Sequence, residues 1–235
     1  MNLVLLFPED FIATDRARLS GRRLRHVREV HRAEAGGELT VGMLGGRMGR
    51  GRVVRLDEEA LELDLRLDQD PPPKLPLTLV IALPRPKVLN RVVAAATSLG
   101  AARLVLLNAW KVEKAYWASP KLKPENLREQ MLLGLEQAKD TVLPELHLAR
   151  LFRPFVETDL PALLDSGCGL LAHPGSGETA PRPLATPVTL AIGPEGGWID
   201  PEVRSLLEAG LEPLDLGPRI LRTETALAAL VGRLF

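Results

Sequence analysis

Thr189–Leu234 reads TLAIGPEGGWIDPEVRSLLEAGLEPLDLGPRILRTETALAALVGRL. An apolar strand opens the stretch and breaks into a turn that holds Gly193, Pro194, Gly196 and Gly197. A short helix follows, with Asp200 expected as its N-cap and Pro201 at its first position. A second strand then runs into Gly217-Pro218, and a final helix is expected to start at a Thr223 cap, with Glu224 in its first turn and Arg222 just before it. Two glycine turns about twenty residues apart, each at the C-terminal end of a strand, set two backbone-lined crevices side by side at a sheet edge. That is where α/β proteins hold ligands. A plain strand-to-helix turn needs one glycine, so Gly193, Gly196 and Gly197 together point to a ligand close to the backbone.

Working back from this stretch, Leu77–Leu83 reads as a strand, Lys87–Leu99 as a helix entered through Pro86 and ended by Gly100, and Arg103–Leu107 as the next strand. This is a βαβ unit. Trp110–Pro120 contains WKVEKAYW, a connecting segment that interleaves aromatic residues with lysines. A helix is expected from Pro124 to Lys139, a strand at Glu145–Leu148, a helix at Phe155–Asp165 and a strand at Gly169–Ala172. Five strands with intervening helices make a mostly parallel sheet covered on both faces, so the fold class is α/β. Gly175–Ala180 is formally the G-x-G-x-x-A of a dinucleotide fold, but PRPLATP follows it and cannot form the helix that fingerprint must open. A flexible loop over a ligand is the better reading. No G-x-x-x-x-G-K-[ST] is present, so nucleoside triphosphate hydrolysis has no support.

Residues 1–70 have a different grain. Asn2–Phe7, Glu38–Leu44, Arg50–Leu56 and Ala60–Leu67 read as short strands, the last alternating as LELDLRL. Leu19, Leu24, Val27 and Val30 follow helical spacing, with arginines largely on the other face. The separators GGRMGRG and DEEA read as turns, so Arg47, Arg50 and Arg52 are expected on a Gly45–Arg52 turn. A small β-barrel with a basic rim results, and it holds no nucleophile–base pair, so binding is its expected task. Asp68–Pro76 (DQDPPPKLP) marks the boundary, because consecutive prolines favour an extended spacer. The expected division is therefore a module at 1–70, a linker at 71–76 and an α/β domain at 77–235.

The 30 basic and 30 acidic residues balance, but they are not evenly spread. Residues 16–55 carry eleven arginines against three glutamates, and residues 84–123 carry eight basic residues against one acid. Two basic segments inside a neutral chain make a candidate footprint for nucleic acid. Cys168 is the single cysteine and the four histidines lack ligand spacing, so neither a disulfide nor a metal cluster is expected. No apolar run approaches a membrane span and no basic-then-apolar leader is present, which points to the cytoplasm.

The residues themselves carry a resemblance. GPEGGW at Gly193–Trp198, LGPRILRTETA at Leu216–Ala226, ATSLGAARLVLL at Ala96–Leu107, GLEQAKDTVLPEL at Gly134–Leu146 and HVREVHR at His26–Arg32 occur together and in order. The chain resembles the bacterial 16S ribosomal RNA uridine-N3 methyltransferases that act on uridine 1498 of the small subunit, members of the knotted SPOUT superfamily. Trp198 stands where that family often has Phe, and His31 where it has an aliphatic residue. The resemblance implies a PUA-like RNA-binding barrel, then an α/β domain whose C-terminal segment threads a trefoil knot. It also implies homodimers and a bent S-adenosylmethionine held mainly by backbone groups, with no metal. Carried onto this chain, the cofactor site takes in Leu171, Ala172, His173, Gly193, Pro194, Glu195, Gly196 and Gly197. Leu216, Gly217, Arg219, Ile220, Leu221, Thr223 and Ala226 complete it. Arg222 is the leading catalytic candidate, for stabilising a uracil anion, with Glu224 and Glu195 as lesser ones. Arg22, Arg23, Arg25, Arg28, Arg32, Arg47, Arg50 and Arg52 are expected to contact RNA phosphates. The rival readings are a knotted methyltransferase for another RNA such as transfer RNA, a non-catalytic RNA-binding or ribosome assembly protein, and, weakest, an oxidoreductase.

Overall fold

The computed structural model describes residues 2–31, 33–165, 167–176 and 186–235, the side chains of residues 30 and 31 excepted. The chain divides into two units, Met1–Pro73 with Leu132–Leu143, and Lys74–Met131 with Pro144–Phe235.

In the first unit the elements are β1 (Val4–Leu6), β2 (Phe11–Ala13), β3 (Arg16–Leu19), α1 (Gly21–His26), β4 (Glu38–Met43), β5 (Met48–Leu56) and β6 (Leu61–Gln69). They form one sheet in the order β1-β4-β5-β6-β3-β2. Only β1 and β4 run parallel; the remaining pairs are antiparallel. The alternation of LELDLRL does its expected work, since Leu61 and Leu63 are buried while Asp64 and Arg66 are exposed. β1 does not alternate because both of its faces are covered. Val4 and Leu6 join a core with Leu19, Val41 and Leu63, while Leu3 and Leu5 pack with Met48 and Leu135.

Three expectations change here. β2 and β3 were not anticipated, being only three and four residues long. α1 ends at His26 and passes into a π-type turn, Val27–His31. The Gly45–Arg52 segment is not all turn: the strand expected from Arg50 begins two residues earlier, at Met48, and pairs Arg50 and Arg52 with Thr40 and Glu38. Gly49 and Gly51 serve close packing within the sheet. A Cβ at Gly49 would run into the Arg66 carbonyl, and one at Gly51 would sit 2.9 Å from Val41 Cγ1.

A buried carboxylate paired with an exposed arginine closes this unit. Glu136 is 1% exposed, and both Arg22 guanidinium nitrogens donate to its carboxylate, at 3.1 and 3.2 Å. Burial pushes the Glu136 carboxyl above the ordinary range, and Arg22 pulls only part of the way back.

The second unit is built from β7 (Leu75–Ala82), α2 (Pro86–Ser98), β8 (Ala101–Leu107), α3 (Lys114–Trp117), α4 (Pro124–Ala138) and β9 (Glu145–Ala149). α5 (Phe152–Pro154), α6 (Leu160–Leu164), β10 (Cys168–Ala172), β11 (Val188–Ile192), α7 (Asp200–Glu208), β12 (Leu211–Leu214) and α8 (Thr223–Leu234) follow. Residues 132–143, which include the last turns of α4, count with the first unit. The sheet order is β12-β10-β11-β7-β8-β9, and all its pairs are parallel. The strand expected to run into Gly217-Pro218 ends earlier, at Leu211–Leu214, and makes the sixth. β11, VTLAI, is buried at every position, as a strand covered on both faces must be. α2 packs against α8.

Two helix starts move by one residue. Ile199, not Asp200, is the N-cap of α7, and its N–H donates to Glu202 Oε2 at 3.1 Å. Arg222, not Thr223, occupies the cap position of α8. Among the described residues no helix is long and apolar enough to cross a membrane. No three His, Cys, Asp or Glu side chains among them gather as a metal site would require.

The Glu136 pair has a measurable consequence. A carboxyl whose folded pKa exceeds its unfolded one holds its proton more tightly when folded. Its contribution to stability is therefore full at low pH and lost as pH rises from about 4.3 through the folded value. Urea unfolding from about pH 4 to about pH 7 should show wild type losing more stability than Glu136→Gln across that window; parallel curves would contradict the assignment.

Candidate active site

Because the second sheet is wholly parallel, all its strands end at one edge. The register makes three of those ends level: Ala172 of β10 pairs with Ile192 of β11 on one side and Leu214 of β12 on the other. These three residues floor an open cavity at that edge. His173 and Pro174 continue from the first strand end, Gly193–Glu195, Gly197 and Trp198 from the second, and Asp215, Leu216 and Arg219–Leu221 from the third. Thr223, Ala226 and Leu230 of α8 supply the remaining wall.

Most residues expected at the ligand meet here. Ala172, His173, Gly193, Pro194, Glu195, Gly197, Leu216, Arg219, Ile220, Leu221, Thr223 and Ala226 all line the cavity. Leu171, Gly196 and Gly217 do not. Leu171 is fully buried inside its strand. Gly196 is turned towards Lys111, whose Nζ donates to its carbonyl at 2.6 Å and whose Cδ lies 2.9 Å from where a Cβ would be. Gly217 adopts φ +101° and donates its N–H to Asp215 Oδ1 at 2.8 Å.

Asp215 was missed by the sequence reading. Its other oxygen accepts the Gly175 N–H at 2.8 Å, so one carboxylate ties the loop after β10 to the turn after β12. The available signal was an Asp two residues before a glycine, the pattern of an Asx turn. Pro174, Ile192, Trp198, Leu214 and Leu230 also line the cavity unforeseen. Trp198 is 6% exposed and its ring lies 6.1 Å from that of Phe152. Its indole Nε1 is buried and meets no hydrogen-bond partner among the described residues. A Cβ on Gly193 would sit 3.0 Å from that nitrogen. Each glycine of GPEGG thus has its own reason: Trp198 for Gly193, Lys111 for Gly196, and φ +70° for Gly197. The expected flexible loop at 175–180 falls from residue 177 onward outside the described residues.

The three catalytic candidates stand differently. Glu195 lines the cavity, and its Oε1 accepts the Arg85 backbone N–H at 3.2 Å. Arg222 is exposed between the lining residues Leu221 and Thr223 and has no acid at ion-pair distance among the described residues. Glu224 is half-buried, does not line the cavity, and pairs with Arg91 at 3.2 Å. Its own backbone N–H, and then Arg91, hold its carboxyl below the ordinary range against the opposing effect of burial.

The arginines expected at RNA are likewise unequal. Arg23 donates to Asp10 Oδ1 at 2.7 Å and to the Leu5 carbonyl at 2.8 Å, and lies 4.6 Å over the Phe7 ring. That guanidinium serves the fold, as does that of Arg22. Arg28 and Arg47 reach Glu58 and Asp70 at 3.8 and 3.0 Å, pairs that exposure makes weak. Arg50 donates to Thr40 Oγ1 at 3.2 Å, while Arg25 and Arg52 are exposed with no acid at ion-pair distance among the described residues. Arg32 lies outside the described residues.

Cavity and sheet edge together define an α/β protein with a pocket at its strand ends, and comparison with known proteins gives its class. Residues 71–234 match the RNA methyltransferase domain, and the chain belongs to that family. It is 31% identical to the ribosomal RNA small subunit methyltransferase E of Treponema pallidum, over 97% of this chain and 88% of that protein. The Synechocystis protein of the same name is 29% identical over 95% and 73%. Among solved structures it shares its fold with the ribosomal RNA small subunit methyltransferase E of Neisseria gonorrhoeae bound to S-adenosyl methionine. The TM-score is 0.76 at 21% identity, covering 99% of this chain and 95% of that one.

Gly193→Ala tests the packing at the cavity wall. The added methyl forces Trp198 to shift, and overpacking of this kind destabilises by about 1–3 kcal/mol. Urea unfolding should register the loss together with a changed tryptophan emission; unchanged values in both would refute the close contact.

Proposed function

We propose that this protein transfers the methyl group of S-adenosylmethionine to N3 of a uridine, position 1498, in 16S ribosomal RNA of the small subunit. The observation that carries the reading is the cavity at the three level strand ends, where the GPEGG and LGPRILRTETA segments meet in a chain of the RNA methyltransferase family. The names of the Treponema and Synechocystis relatives support the ribosomal RNA substrate.

The lining fits the cofactor. It is largely apolar, with glycines where backbone must come close and with Glu195 and Asp215 as the acids. Backbone groups of residues 172–174, 193–197 and 215–221 would hold S-adenosylmethionine, which supplies an electrophilic methyl. The chain's own residues must prepare the nucleophile. Uracil N3 attacks poorly until its proton leaves, and the resulting charge spreads onto O2 and O4. Arg222, exposed between the lining residues Leu221 and Thr223, is suited to donate to one of those oxygens. Glu195, which lines the cavity, is better placed than Glu224 to receive the N3 proton at a carboxylate oxygen. Glu224, held ionised by its own N–H and by Arg91, suits orientation more than proton uptake.

The finer architecture belongs to this reading. β10 lies between β11 and β12 although it precedes both in the chain, which supports a C-terminal segment threaded as a trefoil knot. The short-stranded sheet of the first unit supports a PUA-like RNA-binding module, with Arg25, Arg50 and Arg52 as exposed cations. Ile220, 85% exposed on an apolar side chain, supports a homodimer. A cytoplasmic site of action follows from the substrate.

Methyl transfer from labelled S-adenosylmethionine into isolated small subunits, followed by nucleoside analysis, tests the activity. Label at uridine N3 is expected, and no transfer, or transfer to another RNA only, would overturn it. Arg222→Ala should lower kcat by about 10²–10³-fold with cofactor affinity little changed; an equal loss of both would sink its role. Reversing Arg25 and Arg52 to Glu should weaken RNA binding and make the salt dependence shallower, by a slope of about one for every phosphate that these side chains neutralise. An unchanged slope would exclude them.

A further inference from the structure

We propose that Trp110 is a stacking platform for an unpaired base of the RNA substrate; the inference rests on the RNA methyl-transfer reading above. The residue lies in the loop after β8, and β8 ends at the same edge of the parallel sheet as the three strands that floor the cavity. Trp110 is 79% exposed, and its ring meets no other ring or cation among the described residues. A tryptophan so exposed is uncommon on a protein surface, since the ring is large and apolar.

The backbone beneath that ring is held firmly. The Trp110 N–H donates to Glu202 Oε1 at 2.7 Å, and Glu202 is itself buried and also accepts from Ile199. The next residue, Lys111, donates its ammonium to the Gly196 carbonyl at 2.6 Å. The loop is thus pinned to the start of α7 and to the GPEGG turn, and the ring is left free on a fixed base. Trp117, in the same segment, differs. Its Nε1 donates to Asn108 Oδ1 at 2.8 Å and Arg150 lies 5.0 Å over its ring, so its polar edge and one face are already occupied.

Charge around Trp110 selects the partner. Residues 84–123 hold eight basic residues against one acid, Glu113, and of these Arg85, Lys111 and Lys114 are exposed, as is Arg150 beyond them. Glu195 accepts the Arg85 N–H, and Glu202, the acid in contact with this loop, is buried beneath the Trp110 and Ile199 N–H groups. An exposed aromatic face among cations matches a single-stranded nucleic acid, whose bases stack and whose phosphates meet lysine and arginine. A base beside the target, or the target itself once out of its stack, would lie on the ring.

Stacking on one aromatic residue strengthens single-strand binding roughly 5- to 150-fold. Trp110→Ala should therefore raise the KM for small ribosomal subunits, and the Kd for their RNA, by an amount in that range. Trp110→Phe should recover most of the loss, and S-adenosylmethionine affinity and thermal unfolding should match wild type in both. Values for Trp110→Ala within about twofold of wild type overturn the platform. A shift of Trp110→Ala towards a smaller assembly in sedimentation also overturns it, because a second copy then covers the ring. Wild type that methylates no small-subunit RNA sinks the underlying reading and the platform with it. Wild type that methylates while Trp110→Ala is unchanged sinks the platform alone.

Discussion

Three parallel strands that end level set the terms for the second unit. Ala172, Ile192 and Leu214 are held side by side by ladder hydrogen bonds, so the segments after them must leave at one edge and within reach of one another. Those segments are the two glycine turns and the loop after β10. Their mutual position is then a matter of sheet register rather than of loop chemistry, and α8 can close the remaining side. A slip of one residue in any of the three would turn each floor side chain to the opposite face and undo the cavity.

Carboxylates that accept backbone N–H groups hold the loops around this frame. Asp215 joins residues 175 and 217, and Glu202 joins Trp110 to Ile199. In the first unit Asp10 accepts from Phe7 while it binds Arg23, and Asp57 accepts from Glu59 and Ala60. Those two backbone bonds are the main reason the Asp57 carboxyl sits below its ordinary range. A charged acceptor makes a stronger bond than a neutral one, and removing it would strand buried donors. The same device thus shapes the cavity edge of the second unit and the turns of the first.

Much of this was legible in the chain. Alternation in LELDLRL, the run VTLAI, and glycines at strand ends each follow from local physics: the pleat, two-sided burial and backbone freedom. The reading failed where long-range contact decides the role of a residue. Arg22, Arg23, Arg25 and Arg28 look alike in sequence, yet buried Glu136 binds the first, Asp10 and Phe7 the second, and only exposed Glu58, at 3.8 Å, the fourth. The glycines at positions 49 and 51 look like a turn, but strand neighbours at Arg66 and Val41 require them. Asp215 was passed over because its second bond spans forty residues.

By itself the sequence determined most of the longer strands and helices, that the second sheet is parallel, and that glycine turns follow two of its strands. Each of these depends on short-range periodicity and on the conformational limits of single residues. Only the tertiary structure decided that Ala172, Ile192 and Leu214 end level and that Trp198 dictates Gly193. It also decided that Trp110 is exposed while Trp117 is engaged by Asn108 and Arg150. Those outcomes depend on the strand order β12-β10-β11 and on packing between distant segments, which no local pattern encodes.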